Sequence, residues 1–218
     1  MSDFLDKKRI EILEKKFGLE LGSEQILAFN KWSEIFIDYN SHTNLMSRNE
    51  VSNLFEKHVC DSLAINLWDD FAKLKKGAKL LDIGTGGGFP SVILAIAFPN
   101  LTVFANDSRQ KKTKFLELAK ENLKLHNLNV LYGRAEEIPR INADITTFRA
   151  VGKIKDIFPL AKRHTLQDGR IVFYKAKGVE DEIGEVLAAN KNLKVPKIVP
   201  YSLPVDVEHT RNLAIFEM

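Results

Sequence analysis

One cysteine, Cys60, stands alone in 218 residues. A single thiol excludes an internal disulfide and a thiolate-rich metal site, so no metal is expected. Long apolar runs are also missing. No stretch approaches the ~20 apolar residues that a membrane span requires, and no membrane partner is expected. The opening residues, Met1-Ser-Asp-Phe-Leu-Asp-Lys-Lys-Arg9, are charged and hold no apolar leader core, which sets the expectation of a cytoplasmic protein. There is no internal repeat or low-complexity tract, and strand-like patterning is absent before residue 78. Nor is there a large excess of one charge: 32 Lys and Arg against 29 Asp and Glu leave a net +3, with a pI near 8.8. That balance permits an anionic partner without demanding one, so where the charge lies matters more than its sum.

What is present suits one large core, with 44% hydrophobic and 28% charged residues. Residues 3–17 and 24–39 carry apolar side chains at helical spacing: Ile10, Leu13 and Phe17, then Ile26, Phe29, Trp32, Ile35, Phe36 and Tyr39. Gly18 and Gly22 break the two helices, and Ser23 is placed to cap the second. Trp32, Phe36 and Tyr39 read as core rather than as a base-stacking platform. A third helix is expected over 55–71, with Phe55, Val59, Leu63 and Leu67 on one face. Beyond a charged hinge at Lys73–Gly77 the pattern alternates. Strands are expected at 78–83, 101–106, 128–132, 143–148, 169–174, 195–201 and 211–217, with helices at 90–98, 109–126, 153–165 and 179–190. Alternation of this kind builds an open, mostly parallel α/β sheet with helices on both faces. The last two strands lack a helix between them, which predicts a terminal antiparallel strand. The division expected is a helical cap over 1–72 on a core over 73–218, the two forming one unit.

The informative stretch is Lys79-Leu-Leu-Asp82-Ile-Gly84-Thr-Gly86-Gly87-Gly88-Phe89-Pro90. A buried strand runs into an acid, then into glycines two apart, then into a helix. Bare backbone lets a ligand approach closely, and the helix start offers free N–H groups. A dinucleotide fingerprint needs a third glycine at position 89, where the chain has Phe89. The spacing present, D-x-G-x-G-x-G, resembles motif I of the class I S-adenosylmethionine-dependent methyltransferases, and implies their Rossmann-like fold and that cofactor. The second strand, Leu101 to Asp107, ends in an acid about twenty residues on, where a carboxylate accepts from ribose hydroxyls. The third ends near Gly133-Arg-Ala135-Glu136, placed to meet an adenine ring.

Asp144-Ile-Thr-Thr-Phe148-Arg149 stands where amino-group methyltransferases of adenine and cytosine carry an Asn/Asp-Pro-Pro-Tyr-like sequence. Cytosine C5 chemistry needs a cysteine nucleophile, and Cys60 lies far upstream. With those classes disfavoured, the whole chain resembles the ribosomal RNA small subunit methyltransferase G family, also called glucose-inhibited division protein B. The resemblance rests on Asn44-Leu-Met-Ser47, His58-Val-Cys-Asp61-Ser62, Asp82 to Pro90 and Asp107-Ser-Arg-Gln-Lys-Lys112 followed by Phe115-Leu116. Gly133 to Glu137, Arg149-Ala150 and Lys177-Gly178 complete it. It implies methylation of guanine N7 in 16S ribosomal RNA of the bacterial small subunit. It also implies cofactor binding by Asp82, Gly84, Gly86, Gly88, Phe89, Asp107, Ala135, Glu136 and Arg149. Three positions depart from the family pattern: Ser91 for a usual glycine, Ala105-Asn106 for a pair of leucines before Asp107, and Asn212 for a usual histidine.

Guanine N7 has a free lone pair, which fits the lack of an obvious base. No catalytic residue is assigned; positioning by stacking on Phe148 and a hydrogen bond from Arg149 to O6 is one reading, with cofactor binding the preferred role of Arg149. Arg109, Lys111, Lys112 and Lys114 form a basic run expected to meet RNA, with Lys73 to Lys79 and Lys162-Arg163-His164 as further clusters; ordinary solvated helix faces remain the alternative. His58 and Asp61, three apart, are expected to join the cap to the core more than to act on a ligand. A monomer is expected. Two other classes stay open: an NAD-dependent oxidoreductase, and a non-catalytic RNA-binding module on this fold.

Overall fold

A computed structural model describes residues 3–176 and 178–218. Helix α1 (Lys7–Phe17) starts at Asp6, whose carboxylate accepts from the Arg9 N–H at 2.8 Å. It stops at Gly18, which takes the left-handed conformation that closes the last turn. Helix α2 (Ser23–Thr43) is capped one residue earlier than expected. Gly22 is the cap and Ser23 the first helical residue; the Gln25 side chain accepts from the Gly22 N–H at 2.7 Å in place of a serine hydroxyl.

The helix expected over 55–71 is broken. After the short α3 (Arg48–Val51), Leu54–Val59 form a π-helical turn, Cys60–Leu63 a single α-turn (α4), and Ala64–Leu67 and Phe71–Lys73 3₁₀ turns. The cause is burial on every side: Leu54, Phe55 and Val59 through Ile65 are all buried. A segment packed all round follows its neighbours rather than one helical face, and a widened turn of this kind is frequent beside functional sites.

Seven strands make one sheet: β1 (Lys79–Ile83), β2 (Thr102–Asp107), β3 (Leu128–Tyr132), β4 (Ala143–Arg149), β5 (Thr165–Lys175), β6 (Lys197–Leu203) and β7 (Asp206–Glu217), in the order β3-β2-β1-β4-β5-β7-β6. The pairs β1–β2, β2–β3, β1–β4 and β4–β5 are parallel; β7 is antiparallel to both neighbours. The crossover helices are α5 (Ser91–Ala97), α6 (Gln110–Leu123), α7 (Ile154–His164) and α8 (Val179–Ala189). Strands β5 and β7 exceed the expected spans. Polar residues at Gln167-Asp168 and Glu208-His209-Thr210 hide strand patterning that pairing supplies, and a register shift lets β5 start directly after α7.

Successive strand residues feed opposite cores. Leu80 and Val172 join α1, α2, α5 and α6 on one face, while Leu81, Ile171 and Phe173 join α7 and α8 on the other. All seven residues of α5 are buried, because α2 and the Leu54–Leu67 segment cover its outer side. Strand order reverses between β1 and β4, so a crevice opens at the carboxyl ends of β1, β2 and β4.

Candidate active site

The turn after β1 fills that crevice. Gly84 and Thr85 donate to the Asn106 carbonyl at 2.9 and 3.0 Å; Gly88 and Phe89 both donate to the Thr85 carbonyl at 3.0 Å. Gly86 donates to Asp107 Oδ2 at 2.9 Å, and Asp107 Oδ1 accepts from the Arg109 N–H at 2.9 Å. Glycine is obligatory at 88: φ is +89°, and a Cβ there would lie 2.5 Å from Val92 Cγ2. Gly88 thus provides close helix packing, while Gly84 and Gly86 face the crevice.

Asp82 lies beneath the turn and is fully buried. Its carboxylate accepts from the Ser91 N–H at 3.2 Å and the Thr147 hydroxyl at 3.1 Å. Burial pushes its pKa up to about 6, opposed by hydrogen bonds from Thr85, Thr147 and Ser91. Ser91 also bonds Thr85 side chain to side chain. The first N–H of α5, that of Ser91, is therefore already paired, and a buried carboxylate stands at the helix start where a pyrophosphate would lie. This counts against a dinucleotide and fits a ligand whose centre carries no phosphate.

Two cavities share Gly84, Gly86 and Ala150. One, about 360 Å³, runs over Asp107 and Lys112 to Ala135 and Glu136. The Asn106 amide shapes its floor by donating to the Leu131 and Gly133 carbonyls, each at 3.0 Å. Below Ala135, buried His164 bonds the Ala135 carbonyl through Nε2 at 2.8 Å. The other cavity, about 250 Å³, is walled by Phe36, Met46, Phe89, Glu50, His58 and Arg149. A larger cavity, about 590 Å³, lies by Arg170, Lys194 and Met218 at the other ends of the strands, away from this turn.

Arg149 is the best-anchored charge in the crevice. Its Nε donates to Asp61 Oδ2 at 2.6 Å, its Nη2 to His58 Nδ1 at 2.9 Å, and its guanidinium lies 5.6 Å from the Phe89 ring centroid. Arginine has only donors, so His58 accepts through Nδ1 and carries its proton on Nε2. Burial, then the Arg149 charge, hold the His58 pKa down to about 4. Asp61 Oδ1 accepts from the buried Tyr201 hydroxyl at 2.6 Å, and Arg211 stands 3.6 Å away.

The rRNA small subunit methyltransferase G model matches residues 25–214. Ribosomal RNA small subunit methyltransferase G of Lysinibacillus sphaericus is 33% identical, over 97% of this chain and 90% of that protein. The same-named protein of Bacillus licheniformis is 34% identical, over 94% and 87%. The chain belongs to the rRNA small subunit methyltransferase G family. It is a methyltransferase that uses S-adenosylmethionine, and neither the oxidoreductase nor the non-catalytic reading finds support. Among solved structures it resembles a SAM-dependent methyltransferase from Aquifex aeolicus, with TM-score 0.57, 18% identity and coverage of 76% of this chain and 93% of that one. It also resembles M. jannaschii TYW2 in complex with AdoMet, with TM-score 0.52, 15% identity and coverage of 66% and 70%. Those two show the shared fold.

Within this family member the crevice gathers Gly84, Gly86, Phe89, Asp107, Ala135, Glu136 and Arg149. Asp82 and Gly88 line neither cavity and act from below. Phe148 is a correction: it is 2% exposed and stacks on Phe173 at 5.1 Å on the α7–α8 side, so no base can stack on it. Alternation along β4 turns Phe148 to one face and Arg149 to the other. The basic run is also divided. Lys111 Nζ donates to the Thr43 carbonyl at 3.3 Å and Lys112 Nζ to the Leu45 carbonyl at 2.9 Å, tying α6 to the end of α2; Lys112 is half-buried, while Arg109, Lys111 and Lys114 are exposed. Burial lowers the Lys112 pKa. Of the other clusters, Lys73 pairs with Asp70 at 2.9 Å and His164 is wholly buried. Cys60 is also fully buried, which raises its thiol pKa and suits no nucleophile. His58 and Asp61 do not bond each other; each bonds Arg149. Lys177 lies outside the described residues. Glu50 and Met46 escaped the sequence reading, since only the return of α2 and α3 over the turn brings them to the cavity.

Proposed function

We propose that the protein methylates N7 of a guanine in 16S ribosomal RNA. Gly84, Gly86, Asp107, Ala135 and Glu136 would hold the nucleoside part of the cofactor, with Phe89 and Arg149 toward its amino-acid end. Asp82 and Gly88 would keep the turn in shape. When bound, S-adenosylmethionine supplies an electrophilic methyl on a sulfonium, which the N7 lone pair takes without first losing a proton.

The single observation that carries this reading is that His58, the one histidine lining the smaller cavity, has no lone pair free to act as a base. His58 is neutral and its Nδ1 lone pair already accepts from Arg149. A site so arranged works by holding the acceptor in line and excluding water. Exocyclic-amine chemistry, which must shed a proton, finds no such acceptor on His58. Arg109 at the crevice and Lys114 further along α6 would meet phosphates. One chain supplies both cavities, which supports action as a monomer. The location proposed is the cytoplasm; among the described residues no helix is long and apolar enough to cross a membrane.

The test incubates the protein with labelled S-adenosylmethionine and small subunits lacking the modification, then maps the label. Label in 7-methylguanosine is expected. Label on an exocyclic amine, or no transfer, would overturn the proposal.

A further inference from the structure

Guanine must be told from adenine as well as held. The two differ in where they donate: guanine offers N1–H and an N2 amine on its Watson–Crick edge, whereas adenine offers a bare N1 lone pair there. A carboxylate accepts from both guanine donors at once and repels adenine N1. A site built to pair a polar edge rejects the analogue that leaves its groups unpaired far more strongly than an apolar pocket rejects a wrong shape.

The cavity of about 250 Å³ has a wall of that chemistry. Phe36, Met46 and Phe89 make its apolar sides, Arg149 supplies fixed donors, and Glu50 is its only carboxylate. Glu50 lies in the short helix α3, right after the bend that follows α2, and is exposed. Its one side-chain partner is the Ser47 hydroxyl, 3.3 Å from Oε2, and no cation bridges it among the described residues. It shares the cavity lining with His58 and Arg149. The other carboxylates nearby have partners of their own: Asp61 holds Arg149 and Tyr201, Asp82 the Ser91 N–H, and Asp107 the Gly86 and Arg109 N–H groups on the cofactor side.

We infer that Glu50 is the specificity-determining residue for the acceptor base, its carboxylate accepting from guanine N1–H and the N2 amine. The inference rests on the guanine-N7 reading above. It gives α3 a task that packing does not, because none of its four residues is buried.

The test uses unmethylated small subunits reconstituted with guanosine or inosine at the target position; inosine keeps N7, O6 and N1–H but lacks the N2 amine. For the intact protein, inosine should lower kcat/KM roughly tenfold or more, the worth of a hydrogen bond to a charged group. Glu50→Ala should lose roughly ten- to hundredfold on guanosine, and for that variant the inosine penalty should vanish. Calorimetry with S-adenosylmethionine should show unchanged affinity, which separates loss of the acceptor contact from misfolding. An equal inosine penalty in Glu50→Ala and the intact protein would overturn the inference, as would full activity of Glu50→Ala. If the intact protein makes no 7-methylguanosine on the guanosine subunits, the N7 reading itself has failed.

Discussion

At the scale of single residues, this site keeps titratable groups quiet by burying them beside partners. His58 is the clearest case. Its neighbours are Arg149, Glu50, Asp61 and Lys57, and burial with the Arg149 charge outweighs the two acids, holding its pKa to about 4 against 6.5 when exposed. Between those values the unfolded chain takes up a proton that the folded chain refuses. The stability His58 contributes is thus complete above pH 6.5 and is lost as pH falls toward 4, by up to about 1.4 kcal/mol per pH unit. Asp82 works in the opposite sense, since its pKa of about 6 means the folded state takes up its proton first. Comparison with His58→Gln isolates the histidine, because glutamine can still accept from Arg149 but does not titrate. Urea unfolding from pH 4 to 7 should show the intact protein losing stability relative to that variant as pH falls. Parallel profiles would remove His58 as the cause.

Among elements, the irregular segment from Leu54 to Leu67 matters most. It would be poor as a single amphipathic helix, since it is buried on all faces, and its widened turn delivers both His58 and Asp61 to one guanidinium on β4. Asp61 then reaches Tyr201 on β6, so one carboxylate ties the cap to two parts of the sheet. Asp61→Ala should destabilise the protein by roughly 3–5 kcal/mol, because Arg149 and Tyr201 would be left buried without their acceptor. It should also weaken S-adenosylmethionine binding if Arg149 faces the cofactor. Asp61→Asn, which keeps an acceptor, should recover part of both. Chemical unfolding and calorimetry on the two variants check this; an Asp61→Ala protein of native stability would show the network to be dispensable.

Over the whole molecule, a modest charge of +3 leaves RNA affinity to local placement. Lys111 and Lys112 also dock α6 to α2, which leaves Arg109 and Lys114, both exposed, for the phosphate contacts proposed above. Replacing both with alanine should lower the slope of log K against log salt by roughly one to two, with S-adenosylmethionine affinity kept. A slope unchanged from 50 to 200 mM salt would place the RNA contact elsewhere.

Much of this protein is local in origin and could be read from the chain. Strand and helix alternation, the turn of Gly84, Gly86 and Gly88, and Asp107 twenty residues on depend on backbone freedom and periodicity, which are properties of short segments. The family likeness named the cofactor from the same stretches. What tertiary structure decided is everything that needs two distant segments to meet. Whether Phe148 or Arg149 faces the crevice was set by the phase of β4 in the sheet. The fate of Lys111 and Lys112 was set by where α2 ends, and the broken 54–67 helix by burial on all sides. Asp82 looked like a ligand contact at the end of a strand; the fold placed it buried below the turn, where it accepts from the Ser91 N–H at the start of α5. Glu50 carried no signal of its own, since a lone acid in a polar stretch is ordinary until the chain folds it into one cavity with Arg149 and His58.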